Sequence, residues 1–258
     1  MANSIAARMT STQTPEPAWL VLPTYNEAGN IERFVEAVRA ALPESAHLLI
    51  VDDSSPDGTG EIADRLAADQ PNVAVLHRPR KEGLGPAYIA GFRRALAEGA
   101  ALVLEMDSDF SHDPSHLPAM LAAAERADLV IGSRYVPGGG VEDWGPARRV
   151  ISRGGSAYAR LVLGLSVRDL TAGFKCFRRE VLETLDLDAI ASRGYAFQVE
   201  ITYRTIQHGF EVVEVPIVFR DRQVGDSKID ASVIVEAFWR VPRLRFGKSA
   251  DVGGLPRA

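Results

Sequence analysis

Three polar clusters in the sequence carry residues that can do chemistry. Asp107-Ser108-Asp109 places two carboxylates at i and i+2. In extended backbone those positions point to one side, so both carboxylates can face one ligand. Hard oxygen donors with few other protein contacts suit Mg²⁺ or Mn²⁺, with water and phosphate filling the remaining shell. The alternative is a cluster of acidic residues ahead of a helix starting near Pro114, where carboxylates favour the dipole. Pro23-Thr24-Tyr25-Asn26-Glu27 and Asp52-Asp53-Ser54-Ser55-Pro56-Asp57-Gly58-Thr59 are the other two clusters. Tyr25 is either a rim aromatic or a platform for a nucleotide base. Asp57-Gly58-Thr59 suits a turn that opens a helix. Lys81-Glu82-Gly83-Leu84-Gly85 is like a phosphate loop but lacks the third glycine of a dinucleotide fingerprint. His112 and His116 stand at i, i+4, but Pro114 between them disfavours one continuous helix.

These clusters need a scaffold, and the hydrophobic pattern supplies one. Each follows a short apolar run: Ala18–Leu22, His47–Val51 and Ala101–Met106. Val73–Leu76 and Leu129–Gly132 are further runs of the same kind. Between them Ile31, Phe34, Val35 and Val38 fall at helical spacing, as do Ile62 and Leu66, and Tyr88–Leu96 forms a third helical stretch. A strand-to-strand distance of about 25 to 29 residues is a parallel-sheet crossover. The expected fold is α/β, a Rossmann-like, mostly parallel sheet flanked by helices. Ligands of such sheets bind beyond the carboxyl ends of the strands. Carboxylates gathered there repel one another unless a cation or hydrogen-bond donors compensate.

The second half is less regular. Helices are expected over Ile151–Leu163 and Phe197–His208, and strands over Ala172–Phe177, Val212–Val215 and Ile217–Phe219, the last two interrupted by Pro216. Pro137-Gly138-Gly139-Gly140 reads as a loop. No repeat and no long linker divides the chain.

Composition bounds the answer. With 46% apolar and 24% charged residues among 258, the chain is globular. Twenty-nine Lys+Arg against 34 Asp+Glu give a formal charge of −5, which argues against nucleic acid as a partner. The one cysteine, Cys176, excludes an internal disulfide and Cys-based zinc sites. No run approaches the length of a membrane span, and Met1–Pro17 lacks the apolar core of a signal peptide. A cytoplasmic chain, or one peripheral on the cytosolic face of a membrane, is expected.

The quoted motifs, together with Gly83-Leu84-Gly85, Gly132-Ser133-Arg134-Tyr135 and Asp221-Arg222 through Ser227-Lys228, resemble the polyprenol-phosphate mannosyltransferases. These belong to the inverting glycosyltransferases of family two, with the GT-A fold, and the resemblance covers about residues 18–246. It implies transfer of mannose from GDP-mannose to a polyprenyl (dolichyl-type) monophosphate. It further implies that Pro23, Tyr25, Glu27, Val51 and Asp53 hold the guanosine part. Met106, Asp107 and Ser108 would line the sugar-nucleotide site, and Asp107 and Asp109 would hold Mg²⁺ or Mn²⁺. Arg134, Arg222 and Lys228 would contact phosphates of donor or acceptor, Arg134 as a bidentate fork, with Arg148 a second candidate for the lipid phosphate. Some relatives have Gln where Ser111 stands, so the resemblance leaves the third protein ligand of the metal open, with water an alternative for that place.

The expected organisation is a tail over 1–17, the GT-A domain over 18–230, an amphipathic helix and basic segment over 231–246, and a tail over 247–258. Val233, Ile234, Val235, Ala237, Phe238, Trp239 and Val241 cover most of the helical wheel of Ala231–Val241, and Pro242 should end that helix, with Arg243, Arg245 and Lys248 beyond it. Such a segment is either an interfacial anchor or a helix packed on the domain. The acceptor lipid makes a membrane surface, or a membrane-embedded protein, the expected partner. Two other readings stay open: a polyprenyl-phosphate transferase that uses a UDP sugar such as UDP-glucose, and a non-catalytic subunit that binds nucleotide or lipid.

Overall fold

In the computed structural model, residues 17–190, 192, 194–221 and 231–246 are described. A seven-stranded sheet runs in the order β3-β2-β1-β4-β7-β5-β8. Its strands are β1 (Ala18–Thr24), β2 (His47–Asp52), β3 (Val73–His77), β4 (Leu102–Glu105), β5 (Leu129–Ser133), β7 (Lys175–Arg178) and β8 (Val212–Pro216). Strand β7 runs antiparallel to its neighbours, β4 and β5, and the other pairings of this sheet are parallel. The short strands β6 (Gly140–Val141) and β9 (Val218–Phe219) pair separately. The helices are α1 (Ile31–Ala41), α2 (Thr59–Asp69), α3 (Leu84–Ala97), α4 (Leu117–Ala124), α5 (Pro146–Leu163), α6 (Arg179–Thr184), α7 (Gly194–Gln207) and α8 (Ala231–Phe246).

Alternation along the central strands makes two cores. In β1, Trp19 and Val21 face one side of the sheet, and Leu20 and Leu22 the other. The Val21 side packs on Tyr88 and Phe92 of α3, while Leu20 and Leu22 join Ile31, Phe34 and Val38 of α1. Gly91 lets α3 lie close on the sheet: a Cβ there would overlap Val21 Cγ1 and stand 3.1 Å from Val51 Cγ2. Cys176 is fully buried in β7, and desolvation pushes its thiol up to about 12.

Several sequence expectations change at their edges. The segment expected as a strand over Ala172–Phe177 is a strand from Lys175; residues 172–174 have no regular structure, although Phe174 O still accepts from Gly132 N at 2.9 Å. The expected loop over residues 137–140 contributes Gly140 to β6. His116 closes a 3₁₀ turn, Pro114–His116, so the two histidines do not share a helix. Pro242 does not end the last helix, which runs on to Phe246. Packing offsets the missing amide there: Val241 is buried in the core, and Arg245 Nη1 donates to Val162 O at 2.9 Å. α8 thus lies on α5 and α7. The side chains of residues 231–238, the expected tail over 1–17 up to residue 16, and the expected tail over 247–258 lie outside the described residues. Among the described residues no helix is long and apolar enough to cross a membrane.

The tight α3–β1 approach predicts the effect of one added methyl. Gly91→Ala should destabilise the chain by about 1–3 kcal/mol through overpacking. Urea denaturation measures it, and an unchanged midpoint would contradict the close approach.

Candidate active site

The strand order reverses between β1 and β4, and a cleft of about 430 Å³ opens at that point beyond their carboxyl ends. Three loops wall it, following β1, β2 and β4. Each contains one non-glycine residue in the left-handed region: Asn26 (φ 57°), Ser54 (φ 61°) and Phe110 (φ 62°). Such backbone turns sharply at a strand end and persists only when neighbours hold it. Phe110 is held by an edge contact with Phe34, ring centroids 4.8 Å apart.

Hydrogen bonds between loops fix the acidic residues. Asp57 Oδ1 accepts from the Thr59 amide and hydroxyl, and its Oδ2 accepts from Ala28 N at 3.1 Å. Burial works to raise the Asp57 carboxyl, but these donors outweigh it and hold the carboxyl low. Glu27 N donates to Thr59 Oγ1 at 2.9 Å, tying the first loop to the second. Asp53 accepts from Arg78, from Glu82 N and, at 2.8 Å, from Gly83 N. It therefore organises the 78–83 loop while lining the cleft. Tyr25, also on the cleft wall, lies under Lys81, with Nζ 3.5 Å from the ring centroid.

Asp107 and Asp109 both line the cleft. The extended triplet expected from the sequence is not kept, because the chain bends from Ser108 onward. Asp109 is buried, and its Oδ1 accepts from Ser111 N at 3.0 Å. Asp107 Oδ1 accepts from the Tyr88 hydroxyl at 3.2 Å, and its Oδ2 lies 3.9 Å from His112 Nδ1. Burial pushes the His112 imidazole down to about 4. His112 Nδ1 and Ser111 Oγ are buried without a hydrogen-bond partner. The carboxylate oxygens of Asp107 and Asp109 on one cleft wall suit a hard divalent cation such as Mg²⁺ or Mn²⁺. Among the described residues no group of three His, Cys, Asp or Glu forms a protein cage. Such a site would leave coordination positions to water and phosphate, as these ions usually do.

The expected phosphate fork of Arg134 is already occupied. Its Nε and Nη2 each reach Asp169 at 2.7 Å, and Nη2 also donates to Thr171 Oγ1. Burial would raise the Asp169 carboxyl, yet Arg134 beside it holds it below the usual range. Arg134 still lines the cleft, stacked near Phe219 with Cζ 5.4 Å from the ring centroid. Arg148 is not on the cleft wall: it pairs with Asp221 at 2.8 Å and lies over Trp144. Pro23, Glu27 and Ser108 reach the wall. Val51 and Met106 do not, since both side chains point into the cores and support the loops from beneath. Arg222 and Lys228 fall outside the described residues.

Sequence reasoning passed over Tyr88, Asp169, Gly173, Lys175 and Gln198. Lys175 and Glu105 are fully buried register partners across β4 and β7, their side chains 3.0 Å apart. A lysine inside the apolar run Phe174–Phe177 was the available signal, since buried charges are almost always paired.

The Arg134–Asp169 pair carries a pH signature. A carboxyl whose native pKa is lowered contributes fully above its unfolded value, near 3.9, and loses that contribution as pH falls through it toward the native value. Asp169→Asn should therefore lower stability by about 3–5 kcal/mol near neutrality. Its deficit relative to the parent chain should shrink below about pH 3.9. Denaturant titrations at several pH values read this, and a pH-independent deficit would dismiss the ion pair as its source.

Known proteins share this chain's pattern. The family model described as Glycosyl transferase family 2 matches residues 19–186. The undecaprenyl-phosphate mannosyltransferase of Micrococcus luteus is 50% identical over 235 residues, covering 91% of this chain and 96% of that protein. The polyprenol monophosphomannose synthase of Mycolicibacterium smegmatis is 50% identical over 224 residues, covering 86% of this chain and 84% of that one. Among solved structures, glucosyl-3-phosphoglycerate synthase from Mycobacterium tuberculosis with Mg²⁺ and UDP matches at a TM-score of 0.68 and 17% identity, covering 97% of this chain and 85% of that one. The same protein with Mn²⁺, UDP and glucosyl-3-phosphoglycerate matches at 0.61 and 19%, covering 94% and 80%. At such identities the likeness is one of fold. A mostly parallel sheet with acidic loops at its switch point, matched across residues 19–186, makes this chain a member of glycosyl transferase family 2 with a GT-A-type α/β fold.

Proposed function

We propose that the chain transfers mannose from GDP-mannose to a polyprenyl monophosphate, with inversion at the anomeric carbon. The observation that carries this reading is the 50% identity, over nine-tenths of the chain, to a protein named for mannosyl transfer to a polyprenyl phosphate. The cleft is consistent with it. Tyr25 and Lys81 offer a flat aromatic face and a cation at the side where a nucleotide would enter. Asp107 and Asp109 would hold the divalent ion, which when bound supplies Lewis-acid stabilisation of the departing diphosphate. The acceptor needs little help from a base, because a phosphate monoester is mostly dianionic at neutral pH, its second pKa being about 6. Tyr88 orients Asp107 through its hydroxyl. Arg134, neutralised by Asp169, shapes the wall near Phe219 and adds little net charge. The cations that meet the phosphates are then assigned to Arg222 and Lys228, with Arg148 set back from the cleft behind two aromatic rings, Trp144 and the cleft-lining Phe219.

The lipid acceptor places the chain on the cytosolic face of a membrane in this reading. Helices α5 and α8 pack side by side and leave Val150, Ile151, Leu161, Trp239 and Phe246 more than half exposed. Arginines 149, 153, 160, 243 and 245 lie on the same two helices. Apolar side chains interspersed with cations suit an interface with anionic lipid.

Asp109→Ala should lower transfer at least about a hundredfold while leaving the unfolding midpoint nearly unchanged. Purified protein with GDP-mannose, other labelled sugar nucleotides, polyprenyl phosphate and excess Mg²⁺ provides the assay. Parental turnover in the variant would remove the metal assignment, and turnover only with a UDP sugar would replace the donor. The double variant Trp239→Ser, Phe246→Ser should float less with anionic vesicles; undiminished flotation would exclude this face as the lipid contact.

A further inference from the structure

A small notch in the cleft wall borders the proposed metal carboxylate Asp107 and contains two residues, Gly173 and Gln198, that metal and nucleotide binding leave unused. Gly173 sits in it. A Cβ added there would stand 3.6 Å from Asp107 Oδ2, 3.6 Å from Gln198 Nε2 and 3.8 Å from His112 Cε1. All four residues line the cleft. The glycine thus keeps open a space bounded by a carboxylate oxygen, an amide nitrogen and an imidazole edge.

The amide orientation follows from what lies beneath it. Lys175 Nζ has three protons and no acceptor. It donates to Glu105 Oε1 at 3.0 Å, to Ala172 O at 2.7 Å and to Gln198 Oε1. An ammonium can face only the oxygen of the amide, so Nε2 must turn the other way. Nε2 lies near enough to the Glu105 carboxyl to help keep it ionised against its burial, but no hydrogen bond joins them: Nε2 and Glu105 Oε2 are both buried without a partner. Gln198 itself is 2% exposed. A buried donor without an acceptor next to a cleft calls for a ligand atom.

The chemistry of the notch selects that ligand. A phosphate would meet the Asp107 carboxylate, and the cation beneath the amide, Lys175, has all three donors engaged. A hydroxyl fits both sides: its O–H donates to Asp107 Oδ2, and its oxygen accepts from Gln198 Nε2. Building on the proposed glycosyl transfer, we propose that this notch seats a hydroxyl of the transferred hexose, with Gln198 as a sugar-binding residue and Gly173 as the position that makes room for it. The Glu105–Lys175 pair acts as a positioning element, because it fixes which way the amide points.

Binding of GDP alone and of GDP-mannose, both with Mg²⁺, measured by calorimetry on the parent chain, Gly173→Ala and Gln198→Met, tests this. The added methyl meets its neighbours only at ordinary contact distances, so Gly173→Ala should fold. Both variants should bind GDP within about twofold of the parent and lose at least about tenfold for the sugar nucleotide. In a series of singly deoxygenated donors, the parent should discriminate against one analogue, and Gln198→Met should accept that analogue and the full hexose equally. An equal loss for GDP and the sugar nucleotide would assign the notch to the diphosphate or its cation and overturn the proposal. No loss for either would reduce Gln198 to a structural role and overturn it too. Should the parent prefer a UDP sugar, the donor assignment fails, and the same comparison with UDP and that sugar nucleotide still decides the notch.

Discussion

The site depends on one buried ion pair. Glu105 ends β4 and Lys175 begins β7, and they face each other in an antiparallel register between strands that otherwise run parallel. Both are fully buried. Desolvation works against both charges, raising the Glu105 carboxyl and lowering the Lys175 ammonium, while their mutual attraction and shared hydrogen bonds oppose it. Such a pair adds little net stability but is very costly to break, so it fixes register rather than strength. A one-residue slip of β7 would turn Lys175 to the opposite face and leave Glu105 alone. Asp107 follows Glu105 by two residues, so the acidic loop starts from a strand whose position cannot drift.

The same logic of donors meeting carboxylates runs round the cleft. Acidic groups at neighbouring strand ends would repel one another in isolation. Asp53 is met by Arg78 and two backbone amides, Asp57 by Thr59 and Ala28, and Asp169 by Arg134. Most of these bonds run between loops, so they also set the spacing of the walls. Asp107 and Asp109 line the same cleft, met by the Tyr88 hydroxyl and the Ser111 amide, and they are the pair proposed to hold the divalent ion.

How much of this could be read from sequence follows from the range of each interaction. The apolar runs around Leu20 and Ile50 and the helical spacing of Ile31, Phe34 and Val38 are local patterns with strong burial behind them. They revealed the sheet, its flanking helices and the edge where ligands bind. The paired carboxylates Asp107 and Asp109 and the aromatic Tyr25 sit at the ends of those runs, so they were legible too. Arg134 was legible as a residue but not in its bonding, because Asp169 lies 35 positions away. The direction of β7 was hidden for a similar reason: four residues with a central apolar pair carry no sign of polarity. Proline misled at the C-terminus, because Pro242 stops a helix only if tertiary packing does not hold the turn together, and Val241 holds it.

The burial of Cys176 reaches beyond folding. A thiol held near 12 inside β7 exposes almost no thiolate at neutral pH, and the sequence contains no second one. Alkylating reagents and mild oxidants should therefore find nothing to attack in the folded chain. A spectroscopic label attached through a cysteine introduced on an outer helix would report from that position alone, with no background from the native sulfhydryl.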